Sequence, residues 1–392
     1  MTALPEFIYQ GSVKDIRGVR GESPYVFEFS DRYSIFDWGV MPDQLHKKGE
    51  SLAFMAWFFF DYLGNAKNWK NWEAPKGFAK SSTLERFQGG GVPHHMLALV
   101  SHDLKPVSHE REVVTPTRCL TVEPVEVTPP TATQKRGKLV WDYTHYQSKP
   151  ENALVPLEVI FRFGVPEGSS LLKRTGDAEY CKAIGLKSAP KPGDRFDTPV
   201  IEMSTKLEES GDRYISYDEA AKIAGLSAKE LAALKDTAAL VALRLKDLFA
   251  DLGIELWDGK FEFAFTQADE KGNRGFMLVD SIGPDELRLI YDGVHLSKEV
   301  LRGFYRPTAW HDNIAVAKKQ AEERGEKDWK HICIEEMKSY PPVLAPTVKE
   351  RVEMMYMGLC KALSAKHCTQ PIFADAWDLD RVANAFKKKE AA

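Results

Sequence analysis

Two acidic clusters constrain this chain more than any other stretch: Asp258-Gly259-Lys260-Phe261-Glu262, and Asp280-Ser281-Ile282-Gly283-Pro284-Asp285-Glu286-Leu287-Arg288. In the first, Asp258, Lys260 and Glu262 alternate with Gly259, Phe261 and Phe263. A strand with this period of two puts the three charged groups on one face. Gly275 to Val279 is apolar and ends in Asp280, and Asp269-Glu270-Lys271-Gly272-Asn273 between the two runs has turn composition. The pattern predicts a hairpin that brings Glu262 and Asp280 together. Facing carboxylates repel unless a cation lies between them, and hard oxygen ligands suit Mg²⁺, whose remaining ligands are commonly substrate phosphates. A solvated hairpin with charges on its wet face would carry the same residues.

The chain has 392 residues, enough for a large core and beyond the usual size of one domain, so two lobes are expected. A formal net charge of −4 argues against a dedicated nucleic-acid binder and makes any phosphate site local. The five cysteines, Cys119, Cys181, Cys333, Cys360 and Cys368, form no CxxC pair and read as reduced core thiols. No apolar run reaches membrane length. The longest, Phe54 to Leu63, reads as a short aromatic helix or strand, and the first residues lack a signal pattern. A soluble cytoplasmic protein is expected.

The organisation reads as mixed α and β. Strands are expected at Phe7 to Tyr9, Val13 to Val19, Tyr25 to Phe29 and Leu154 to Arg162. Trp69 to Gly91, Pro124 to Thr133 and Gly185 to Asp197 read as loops or surface excursions. Ser227 with Glu230 forms a capping-box signature, which predicts a helix running toward Gly253 with Leu234, Val241, Leu245, Leu248 and Leu252 as its buried stripe. Thr347 with Glu350 reads as a second such signature, opening a Met-rich helix through Ala365.

Gln88-Gly89-Gly90-Gly91 lacks the Lys-Ser/Thr of a phosphate loop and reads as a flexible turn. His94 and His95 are adjacent, so on a strand they point to opposite faces and are poorly placed to share a metal. Gly11-Ser12-Val13-Lys14 delivers a lysine beside backbone amides, a phosphate contact or an ordinary surface lysine.

These segments together resemble the phosphoribosylaminoimidazole-succinocarboxamide synthase (SAICAR synthetase) family. The matching blocks are Gly11 to Ile16, Ser30 to Asp37, Lys48 to Leu52, Val155 to Arg162 and Gly168-Ser169. Ser204-Thr205-Lys206 with Ile215-Ser216 follow, then the two acidic clusters, then Lys298 and Arg302. The resemblance implies a two-lobed α+β fold: a kinase-like antiparallel-sheet N-terminal lobe and a larger α/β C-terminal lobe, with ATP in the cleft. The implied domains are an ATP-binding lobe over 1–153, a substrate and metal lobe over 154–306, and a mostly helical extension over 307–392 packed on the body. The implied reaction is a carbon-nitrogen ligation in purine biosynthesis. It joins carboxyaminoimidazole ribotide (CAIR) to L-aspartate through an acyl phosphate, with ATP going to ADP and phosphate.

The same resemblance assigns roles. Glu262 and Asp280 would hold Mg²⁺ against the triphosphate, with Gly11, Ser12 and Lys14 also at ATP. Lys260, Lys206 and Asp37 would be catalytic. Arg162, Ser169, Asp285 and Arg288 would bind the ribotide, Arg302 and Lys298 its phosphate, and Lys48 would line the substrate site. The chain departs from the family pattern at Ser281, where an acidic residue is usual, at Ser12, where part of the family has lysine, and at Gly211-Asp212 in place of His-Asp. Two other readings stay open: a related ATP-dependent ligase or kinase with another acceptor, and a non-catalytic nucleotide-binding paralogue. The expected partners are CAIR, L-aspartate and ATP, with no nucleic acid and no membrane; the C-terminal helices pack on the body or make a homo-oligomer contact.

Overall fold

The alternating charge of Asp258 to Glu262 is resolved by a sheet with one charged and one apolar face. The computed structural model describes residues 4–109, 112–113, 115–135, 138–208, 211–326 and 328–387. The fold is α+β, with antiparallel sheets. Its two compact units interleave along the chain: residues 1–58, 96–124 and 283–392 form the first, and 59–95 with 125–282 the second.

The second unit is built on antiparallel strands in the order Tyr214–Ile215, Arg195–Thr205, Leu154–Gly164, Glu255–Ala268, with Arg274–Val279 paired to the last. Register places Glu158 opposite Glu262, Arg162 opposite Asp258, and Glu262 opposite Val279, so the predicted hairpin forms. Phe161, Phe261 and Phe263 point to the other face, where Phe161 and Phe261 stack at 4.8 Å. The helix Ala228–Ala250 covers this apolar side. Its capping box is formed by Ser227 and Glu230, as the spacing predicts. Glu230 also takes the buried guanidinium of Arg274 at 3.0 Å, which ties the helix start to the hairpin.

The first unit holds the antiparallel sheet Phe7–Gln10, Lys14–Arg17, Tyr25–Phe29, Cys119–Val122, Met96–Val100, in that spatial order. It also contains a hairpin of Leu287–Tyr291 and Val294–His295 and the helices Glu299–Tyr305, Ala309–Arg324, Pro346–His367 and Leu379–Lys387. The aromatic run Phe54 to Leu63 lies within one helix, Lys48–Gly64, whose residues divide between the units. Among the described residues no helix is long and apolar enough to cross a membrane.

Some local expectations are corrected. Trp69 to Gly91 is not a long loop: it contains the helices Lys67–Lys70 and Ser82–Gly90, the second capped by the Ser81 side chain. Aromatic anchoring replaces periodicity there, since buried Trp69 donates to the Leu63 carbonyl at 2.7 Å and meets Phe87 at 4.9 Å. Gln88 to Gly91 is a helix end rather than a flexible turn. Gly91 lies at φ +77°, and a Cβ there would fall 1.8 Å from the Gly64 carbonyl oxygen. Thr131–Lys135 and Lys138–Asp142 pair as strands, so the Pro/Thr stretch is partly regular. The Met-rich helix starts at Pro346 after Ala345, without a side-chain cap. Proline at its first turn supplies the start instead of Thr347.

Candidate active site: two charged centres

The charged sheet face of the second unit gathers Glu158, Lys206, Lys260, Glu262 and Asp280. Glu158 and Glu262 are directly opposed on neighbouring strands, a repulsive pairing unless cations intervene. Two lysines do so. Lys206 Nζ lies 2.7 Å from Glu262 and 3.7 Å from Glu158, while Lys260 donates to Glu158 and lies 3.9 Å from Glu262. Burial favours the neutral amine at both lysines, but the carboxylates outweigh it and hold both ammonium groups above their ordinary pKa. Burial, then the neighbouring Asp280 charge, push the Glu262 carboxyl upward. Asp280 closes the strand at φ +66°, a conformation aspartate tolerates, and buried His95 donates to its carbonyl at 3.3 Å.

Further along the same face, Arg162 is 4% exposed and its donors are committed. They reach Glu202 at 2.5 Å, Asp258 at 3.3 Å, Tyr214 at 3.1 Å and the Ser170 hydroxyl at 3.2 Å. Arg174 and Tyr180 each meet Glu202 at 2.5 Å. Despite burial, these donors hold the Glu202 carboxyl below its ordinary pKa. Ser169 is buried and caps the short turn of helix at Ser170–Lys173, accepting from the Leu171 amide.

The second centre lies within the first unit. Lys48 is fully buried and pairs with Asp285 at 2.9 Å, and Tyr356 donates to the other Asp285 oxygen at 2.6 Å. Burial alone would raise the Asp285 carboxyl, yet Lys48, Lys298 and the Tyr356 hydroxyl hold it down. Lys298 is pulled below its ordinary pKa chiefly by burial, with Arg302 and Lys48 adding repulsion. Glu299 gathers arginines: Arg302 at 3.0 Å, Arg288 at 3.5 Å and Arg306. Burial opposes these guanidiniums, which nonetheless bring the Glu299 carboxyl down to about 2. Three arginines thereby surround one carboxylate.

The other residues singled out from sequence also lie in the first unit. Gly11 closes a tight turn, its amide bonding Lys14 O at 3.1 Å and Asp15 at 3.2 Å, and a Cβ on it would meet Lys14 O at 2.4 Å. Ser12 lies within this turn, and the Lys14 ammonium sits over the Phe27 ring at 4.4 Å. Asp37, at φ +61°, pairs its carboxylate with Lys318 at 2.9 Å.

Comparison with known proteins decides the family. The SAICAR synthetase model matches residues 7–316. A protein of Archaeoglobus fulgidus, whose own name as a phosphoribosylaminoimidazole-succinocarboxamide synthase is provisional, is 34% identical over 96% of this chain and 99% of its own. The chain belongs to the SAICAR synthetase family. The Thermoplasma acidophilum phosphoribosylaminoimidazole-succinocarboxamide synthase is 28% identical over 80% of this chain and 87% of its own. The structure of the Saccharomyces cerevisiae SAICAR synthase complexed with SAICAR shares the fold, with a TM-score of 0.52 at 20% identity, covering 94% of this chain and 97% of that one.

Within this family frame, the structure brings Lys206, Lys260, Glu262 and Asp280 into one centre, and Lys48, Asp285 and Lys298 into the other. Arg288 and Arg302 meet at Glu299. Sequence reasoning passed over Glu158, Glu202, Glu299 and Tyr356. Glu158 had a readable signal, because it lies four strand positions from Arg162 and so shares its face. Tyr356 had none, as a tyrosine on a Met-rich stripe reads as core. Among the described residues no group of three or more His, Cys, Asp and Glu side chains gathers as a metal site.

Proposed function

We propose that this chain joins the carboxylate of CAIR to the amine of L-aspartate, with ATP cleaved to ADP and phosphate, in purine biosynthesis. The observation that carries the reading is the sheet face where Glu158, Glu262 and Asp280 alternate with Lys206 and Lys260, in a chain of this family. A carboxylate is a poor electrophile. One of its oxygens therefore attacks the γ-phosphorus of ATP, the bond from that phosphorus to the β-bridging oxygen breaks, and ADP leaves. The aspartate nitrogen then attacks the acyl carbon, the C–O bond to phosphate breaks, and the amine gives up a proton as the amide forms. Phosphoryl transfer of this kind depends on positioning and charge neutralisation.

Lys206 and Lys260 supply fixed positive charge, since both stay protonated near neutrality. The donor set fits Mg²⁺: Glu262 and Asp280 are oxygen ligands whose mutual repulsion a cation would relieve, and two protein carboxylates leave positions for phosphates and water. Bound there, Mg²⁺ would neutralise triphosphate charge. Gly11, Ser12 and Lys14 contact ATP in this reading, and Asp37 lines the transfer site. Arg288, Arg302 and Lys298 take the ribotide phosphate, for which the guanidinium fork is suited. Lys48 and Asp285 bind the rest of the ribotide, and within the second unit Arg162, assigned to the ribotide from sequence, orders Glu202 and Asp258 while Ser169 caps its turn.

The test is a product assay with Mg-ATP, CAIR and L-aspartate, each omitted in turn, read by mass. The expected result is the succinyl adduct only when all are present. ADP release without the adduct would overturn the reading in favour of another acceptor, and absence of any turnover would favour a binding protein.

A further inference from the structure

The Pro346–His367 helix lies wholly beyond residues 7–316, the segment matched by the family model. It nevertheless reaches the Asp285 centre. Tyr356 is fully buried, donates to Asp285 at 2.6 Å, and its ring lies 5.3 Å from the Lys48 ammonium. The helix is fastened along the segment that carries Lys48. Glu353 accepts from the His46 amide at 2.8 Å, Cys360 donates to the Ser51 carbonyl at 3.4 Å, and just before the helix the Leu344 amide bonds Asp43 at 2.7 Å. Asp285 thus has one oxygen on Lys48 and the other on Tyr356.

We propose that Tyr356 is a positioning residue for ribotide binding, fixing the Asp285 carboxylate and, through it, the Lys48 ammonium. The inference rests on the proposed function, which places Lys48 and Asp285 at the CAIR ribotide. A buried carboxylate with one oxygen on an ammonium could still rotate about its terminal torsion, which is broad and roughly two-fold. The phenol fixes that torsion and leaves Lys48 with a set direction. The charged and titratable groups facing this carboxylate are Lys48, Lys298 and Tyr356, and Arg302, Glu286 and Tyr33 interact with those partners.

The test is Tyr356→Phe in the full-length protein, which removes one oxygen and keeps the ring. KM for CAIR should rise about 10-fold or more with KM for ATP unchanged, because a hydrogen bond to a charged group is worth about a factor of ten or more. Without the phenol donor the Asp285 carboxyl titrates higher, so the acid limb of kcat/KM for CAIR should move to higher pH. Unchanged CAIR KM and pH profile would overturn the inference, and so would an equal loss in both KM values with a lowered midpoint, which marks a packing role only. Should the wild-type protein form no adduct from CAIR, the proposed function fails. The positioning role is then read from the Asp285 carboxyl resonance in wild-type and variant protein: an upward pKa displacement in the variant supports it, and an unmoved one overturns it.

Discussion

Glu158 is the residue whose removal most directly tests the charge arrangement of the sheet face. It accepts from Lys260 and lies 3.7 Å from Lys206, so Glu158→Gln keeps the shape and removes one of the charges that hold both ammonium groups in place. Activity should fall about 10–100-fold, since a hydrogen bond to a charged group contributes about 1.5–3 kcal/mol and about 1.4 kcal/mol is tenfold. The pH profile supplies the sign. Glu158 raises the Lys260 pKa, so its loss lowers that pKa and the alkaline limb of kcat moves to lower pH. An unmoved alkaline limb would exclude Lys260 as the group that must stay charged. Glu299 gives the opposite titration. Its carboxyl is held near 2 against an ordinary 4.5, so it contributes stability above the unfolded pKa that is lost as pH falls toward 2. The shift corresponds to up to about 3 kcal/mol, reduced by solvent around its arginines. Glu299→Gln should therefore flatten the decline in urea-unfolding free energy between about pH 5 and pH 3. It should also weaken CAIR binding by freeing Arg288 and Arg302.

At the scale of elements, the capping box shows how a local signal becomes a tertiary one. Ser227 and Glu230 start their helix as their spacing predicts, but Glu230 is also the counter-ion of Arg274 on the hairpin. Arg274 further bonds Pro150 O at 3.1 Å and Gly225 O at 2.9 Å and lies over the Phe265 ring. Arg274→Met should cost about 3–5 kcal/mol, because a buried carboxylate is left without its cation. A denaturation curve within 1 kcal/mol of wild type would show that the helix cap alone satisfies Glu230. The legibility of each element follows its kind of signal. Strands with a strict alternation, such as the one carrying Asp258 to Glu262, were readable because burial on one face leaves a period of two. The helix Ser82–Gly90 was not, since three residues of its last turn are Gln and glycines and its anchoring comes from Trp69, a tertiary contact. Thr347 misled for a related reason: a capping spacing is only a local pattern, and Pro346 after Ala345 fixes the start two residues earlier. At the charged centres, strand period placed Lys260 and Glu262 together. Tyr356 came from a helix far along the chain, which no local pattern joins to Asp285.

For the molecule as a whole, the family match ending at residue 316 invites the view that the C-terminal helices are dispensable. Burial argues otherwise. Val352, Met355, Tyr356, Leu359, Cys360 and Leu363 on the Pro346–His367 helix are each no more than 1% exposed. At about 1.5–3 kcal/mol for a buried large apolar side chain, this stripe is worth on the order of 10 kcal/mol. The net stability of a whole domain is about 5–15 kcal/mol. The buried centre of Lys48 and Asp285 would meanwhile lose its cover, and a pair of charges opened to water exchanges its internal partners for solvent. A chain ending at residue 345 should therefore lose the fold of the first unit instead of retaining it with weaker substrate binding. Hydrogen exchange reads this directly. Amides of Val26 to Phe29 and Leu120 to Val122 should lose protection, while those of Phe161, Phe261 and Phe263, whose core is built within the second unit, should keep most of theirs. Retained protection in the first sheet, with only the CAIR KM altered, would mean that the C-terminal helix adds a hydroxyl to a unit that already folds without it. Tyr356 would then be an ornament of binding on a complete fold. The depth of the Met355 to Leu363 stripe makes the opposite prediction: the segment that positions Asp285 is part of what holds the unit together.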